Sequence, residues 1–177
     1  MKNLLFGIAF VTATVCTAQE LKHEKLKFLL GDYEVVANSP DGQGGWKATG
    51  SGKASFFTIL EGTFVRETIV TSGQMGTLTM DNTIGFDGRT QTLRLIALDK
   101  EYSTMDVYHG KIEQNKLILD NLKSDAKFIL DNGEEWSFKL TYEMISEDQN
   151  QLVVEFTKDD GKTWLPFAKN LFNRMGN

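Results

Sequence analysis

The side chains able to do chemistry are few, and their spacing restricts what they can do. The chain has two histidines and one cysteine. His23 and His109 fall in different kinds of element, there is no His-x-x-x-His, and Cys16 lies in the first twenty residues, so no metal site is assigned. A nucleophilic triad needs Ser, His and an acid converging on one point. Ser103, Asp106 and His109 share one strand, but Asp106 has the opposite parity to the other two. No Gly-x-Ser-x-Gly elbow occurs. Glu67 with Asp99 or Asp106 would make a carboxylate pair for acid–base work if they point inward. The Gly-rich loops Asp41–Gly45 and Ser72–Gly76 lack the Lys and following helix of a phosphate cradle. His109 has the parity of Met105 and Val107 and would face an apolar interior with them. A haem held there is the cofactor reading to weigh, against a core or rim histidine; no cofactor is assigned.

These residues sit on elements that read as strands. Two apolar-rich runs flank Asp87-Gly88, a pair suited to a tight turn between antiparallel strands. Leu78, Met80, Ile84 and Phe86 share one parity on the first arm; Leu93, Leu95 and Ala97 share one on the second. Similar units run from Asp32 to the C-terminus: Trp46–Phe56, Thr63–Thr71, Tyr102–His109, Lys111–Glu113, Lys116–Asp120, Lys127–Leu130, Glu135–Ile145, Gln151–Lys158 and Thr163–Phe172. Turn-forming residues separate them. Only Glu20–Leu30 reads as a helix, with Leu26, Leu29 and Leu30 on one face and Gly31 as its stop. The fold class is therefore all-β, an antiparallel up-and-down barrel of about ten strands with a short N-terminal helix; a sandwich is the alternative. Glycines at 50 and 52 read as barrel curvature.

Residues 1–18 have the layout of a secretory signal peptide: Lys2, a short apolar run from Leu4 to Val11, and small residues up to Ala18. This places the chain as exported, periplasmic or secreted, with residues 19–177 as one domain. Cleavage at Cys16 with lipid attachment is the alternative. No run is long enough for a membrane span. The net charge of −5 without a basic cluster argues against a nucleic-acid partner.

Several pieces resemble, in order, an uncharacterised bacterial family of lipocalin-like (calycin-type) β-barrels. They are Phe28-Leu-Leu-Gly-Asp-Tyr33, Leu60-Glu-Gly-Thr-Phe-Val-Arg-Glu67, Ile84-Gly-Phe-Asp87, and Asp159-Asp-Gly-Lys-Thr-Trp164 with Asn173-Arg174. Tyr33 and Ala97 stand where such proteins usually carry Trp. The resemblance implies the barrel and leaves activity open. Thr157–Trp164 also looks like an Asp-box, read here as a turn stabiliser rather than a sugar site.

A barrel of this size can enclose a ligand. The expected function is binding of a small hydrophobic or amphipathic molecule. The expected wall is Tyr33, Trp46, Phe64, Arg66, Met80, Phe86, Leu95, Met105, Trp136 and Tyr142, with Phe56 and Phe138 beside them. Arg66, Arg94 and Arg174 are the groups to meet a ligand carboxylate. The rivals are an enzyme with an acid such as Glu67 or Asp106 at the barrel mouth, and a structural or interaction module with a filled core.

Overall fold

The computed structural model describes residues 24–74 and 76–176. The signal-peptide, Cys16 and His23 readings lie outside them. Alternating apolar residues and short turns build eleven strands: β1 Gly31–Pro40, β2 Trp46–Ile59, β3 Phe64–Gly73, β4 Gly76–Asp87, β5 Thr92–Asp99, β6 Thr104–Glu113, β7 Lys116–Asp120, β8 Phe128–Ile129, β9 Glu135–Ser146, β10 Gln149–Thr157 and β11 Leu165–Arg174. All pairings are antiparallel. β10 pairs with both β9 and β11, and β11 returns to β1, so ten strands close a barrel and β8 is an accessory piece on β9.

Some local expectations change. Tyr102–His109 and Lys111–Glu113 are one strand, β6, which runs through Gly110. The Asp87-Gly88 turn is longer than two residues. Asp87 pairs with Thr92, and the Gln91 amide bonds the Asp87 carbonyl at 2.8 Å with Gln91 at φ 56°. Of the expected helix Glu20–Leu30, residues 20–23 lie outside the described ones, Glu24 is helical, and a 3-10 turn follows at Lys27–Leu29.

That turn plugs one end of the barrel with Leu26 and Leu29, both buried. A polar latch holds it. The Tyr33 hydroxyl donates to the Leu29 carbonyl at 2.9 Å and accepts from Asn150 Nδ2 at 3.0 Å and Arg174 Nη2 at 2.8 Å. Arg174 Nη1 also donates to the Leu30 carbonyl at 2.6 Å. Gly31, at φ 141°, leaves room for that guanidinium, which a Cβ would strike. The Gly-Asp-Tyr and Asn-Arg pieces of the sequence are thus two halves of one clasp. Above it, Tyr33, Phe56, Phe172 and Tyr142 pack edge to face at centroid distances of 5.6–6.2 Å.

At Gly50 and Gly52 an added Cβ would run into the β3 backbone, at the Ser72 and Val70 carbonyls. Close approach of the facing strand explains these glycines, where the sequence reading offered barrel curvature.

The β10–β11 turn is the Asp-box-like segment. Asp159 Oδ1 accepts from Thr157 Oγ1 at 2.7 Å and from the Thr163 amide at 2.9 Å, and Gly161 takes φ 83°. These bonds, Thr157 first, hold the Asp159 carboxyl down to about 2 from 3.8. Asp159→Ala should lower the melting temperature modestly near neutral pH. The deficit should shrink as pH falls from 3.8 towards 2, because wild type loses this contribution as Asp159 protonates. Melting curves at pH 7 and pH 2.5 check it; an equal deficit at both would refute the turn-stabilising role.

Candidate functional site

The end of the barrel away from the plug is formed by loops 41–45, 100–103, 121–134 and 158–164. Here the wall is incomplete. β7 pairs with β6 only from His109 to Glu113. β8 meets β9 alone, at Trp136 and Glu135. Among the described residues, positions 104–108 of β6 therefore have a strand partner only on the β5 side. A depression of about 450 Å³ occupies the gap, lined by Tyr102, Thr104, Lys127, Phe128, Ile129, Leu130 and Asp131. Beside it stands an aromatic wall. Trp136 stacks on Phe156 at 4.2 Å, and Phe138, Phe128 and Phe167 meet these rings edge-on or tilted. A register shift after Val154 adds a residue to β11 and brings Phe167 into this cluster.

From the gap, one inward-facing row crosses the sheet. Asp106 on β6 lies opposite Ala97 on β5, Ala97 opposite Asn82 on β4, and Asn82 opposite Glu67 on β3. At about 4.8 Å per strand, the row spans about 14 Å. Asp106 accepts from Asn121 Nδ2 and, at 2.7 Å, from the Val107 amide. Tyr108, two residues along β6, is buried beside it, and burial first and Asp106 second push its hydroxyl pKa up.

At the far end Glu67 is 0% exposed. Its Oε2 accepts from Asn82 Nδ2 and the Tyr142 hydroxyl, both at 2.7 Å. Among the described residues, Glu67 Oε1 and Asn82 Oδ1 have no hydrogen-bond partner. Burial raises the Glu67 pKa, and the Asn82 and Tyr142 hydrogen bonds only partly offset it. Burial, then the neighbouring Glu67, raises that of Tyr142.

The expected wall residues divide. Tyr33, Met80, Phe86, Leu95, Trp136 and Tyr142 face the interior. Tyr33 and Leu95 are buried packing, and Phe86 and Met80 pack against that core. Four others face outward. Phe64 covers Gly85 on the outer surface, where a Cβ would meet its ring. Arg66 forks onto Asp81, with Nε to Oδ1 at 2.8 Å. Met105, 68% exposed, sits opposite Leu98 on the outer face of β5–β6. Trp46 has the parity of Phe56, but a register shift between β1 and β2 at Ala37/Asn38 turns it outward, opposite Pro40 and under the Lys169 ammonium.

The other two candidate arginines do not line the interior row either, and Lys127, at the depression, donates to the Leu122 carbonyl and the Ser137 hydroxyl. Arg94 lies on the outer face by Asp87, at 3.4 Å, and Arg174 belongs to the clasp. His109 pairs with Arg94 and Asp120 across the same outer face, so its parity does not turn it inward as the haem reading required. Ser103 is in a turn at φ 53°. Glu67 is deep in the barrel rather than at its mouth. Asn82, Asn121 and Phe167 were missed as site residues: polar residues at inward parity were the signal for the first, while the other two depend on a strand end and a bulge.

No curated protein matches the chain. Among solved structures it is similar to "Rv2717c from M. tuberculosis", with a TM-score of 0.59 at 10% identity over 86% of this chain and 96% of that one, a likeness of fold. The family described as "Protein of unknown function (DUF1579)" matches residues 18–174. The closed barrel and that match over nearly the whole chain agree, and the chain belongs to the DUF1579 family.

Proposed function

We propose that this is an exported barrel that binds a small hydrophobic or amphipathic molecule through the gap between β6 and β8. The observation that carries this reading is the gap itself. Barrels normally hydrogen-bond every strand edge; here, among the described residues, the upper half of β6 lacks a neighbour on one side. The depression left there is within the size range of small-molecule sites and lies against an aromatic wall. The polar row gives such a ligand somewhere to place a head group. Export rests on the layout of residues 1–18.

Native mass spectrometry of protein recovered from its own host after mild purification tests both parts. The expected spectrum shows a chain beginning at Gln19 carrying an additional small apolar mass. Thr104→Trp, which fills the gap from the inner face of β6, should lose that mass while keeping its far-UV circular dichroism. A wild-type protein that carries no mass and gives no saturable heat with short-chain amphiphiles would sink the binding reading; an uncleaved N-terminus would sink export.

A further inference from the structure

We propose that the inner end of this site recognises a cationic, hydrogen-bond-donating head group, an amine, through Glu67 and Asn82. The inference rests on the binding reading above and names its ligand class. Glu67 and Asn82, 0% and 4% exposed, each present an oxygen with no partner among the described residues. Asn82 Oδ1 is an acceptor, and so is Glu67 Oε1 in the ionised carboxylate that a bound cation favours, so the group that satisfies both is a donor. The one phenolic proton of Tyr142 is already given to Glu67 Oε2. The row from the gap to Glu67 carries a second carboxylate, Asp106, and no cation. Arg66, Arg94 and Arg174 lie on the outer face or in the clasp.

A carboxylate ligand would bring acceptors to acceptors and a like charge to Glu67. An ammonium brings three donors and the opposite charge. Ala97 leaves the least side-chain bulk along the row between the depression and the acceptors. It is the one small side chain in the row, directly between Asp106 and Asn82, and a bulky residue there would stand across the way from the gap to the acceptors. The apolar part of the ligand then lies against Phe138 and Trp136. The Arg-led recognition of a carboxylate expected from sequence is replaced by its inverse.

The test uses the mature chain with hexylamine, hexanol and hexanoate, each titrated calorimetrically at pH 7. Hexylamine should bind at least tenfold tighter than hexanoate, with hexanol between them. Glu67→Gln, nearly the same shape, should reduce hexylamine affinity at least tenfold and leave hexanol within about twofold. Ala97→Leu, which leaves Glu67 and Asn82 intact, should weaken hexylamine at least as strongly, so the proposal stays testable if Glu67→Gln does not fold. Equal affinity for the three probes, or hexylamine binding indifferent to both variants, overturns the amine proposal while leaving the barrel a binder; it would mean that water alone satisfies the two acceptors. Binding of none of the three refutes this proposal together with the reading it rests on.

Discussion

Glu67→Gln will make the empty barrel more stable at neutral pH and will remove most of its pH dependence between pH 4.5 and 8. Glu67 is enclosed with Asn82 and Tyr142 as its hydrogen-bonding partners and with no cation in its row. Burial raises its folded pKa above the ordinary 4.5. The folded chain therefore holds a proton that the unfolded chain gives up, and stability falls as pH rises from 4.5 through the folded value. The slope for one such proton is at most about 1.4 kcal/mol per pH unit. The carboxyls of Asp87 and Asp159, held down to about 2 from 3.8, act in the opposite sense and at lower pH. A neutral amide keeps the shape and removes the ionisation. Urea unfolding of both proteins from pH 4.5 to 8 will show wild type losing stability with rising pH and the variant nearly flat. Parallel curves, or a variant less stable throughout, would mean that Glu67 is paired when ionised.

Truncation of two phenylalanines eight residues apart will separate the inside of the barrel from its outside. Phe56 is 3% exposed and meets Tyr33, Tyr142 and Phe172 edge to face. Phe56→Ala should cost about 4 kcal/mol, as removing a buried ring from a packed core does. That is a large part of the roughly 5–15 kcal/mol stabilising a domain. Phe64 lies half-buried on the outer face over Gly85, and Phe64→Ala should cost only about 1 kcal/mol, because solvent fills the space it leaves. Chemical denaturation with a shared slope measures both. Costs within about 1 kcal/mol of each other would contradict the placement of these rings.

The clasp shows how a sequence can hold a structural device without declaring it. Phe28–Tyr33 and Asn173-Arg174 are pieces by which the chain resembles its family, yet nothing in their spacing says that they meet. Antiparallel pairing of β1 with β11 sets Tyr33 opposite Arg174, and a tyrosine hydroxyl can then serve the plug, Asn150 and the arginine at once. The hydroxyl that makes this latch is what distinguishes Tyr33 from a phenylalanine at the same place.

Local patterning determined the strand class, the antiparallel succession of neighbouring strands and the inward set of the central hairpin, while closure into a barrel rather than a sandwich came from the pairing of β1 with β11. Period two and turn chemistry are short-range, and Leu93, Leu95 and Ala97 could face only one way once one of them did. Tertiary structure decided the rest. Trp46 and Phe167 change direction at register shifts, which depend on how two distant strands fit rather than on either strand's pattern. Both faces of β3 carry apolar residues and one charge each, so alternation could not choose a face for Phe64 and Arg66; burial of Val65, Glu67, Ile69 and Thr71 shows that the parity of the carboxylate, and not of the arginine, turned inward. The gap beside β6 exists because β7 stops at Asp120 before the barrel wall is complete. The row from Asp106 to Glu67 joins four strands at one level, and only the closed sheet brings those residues together.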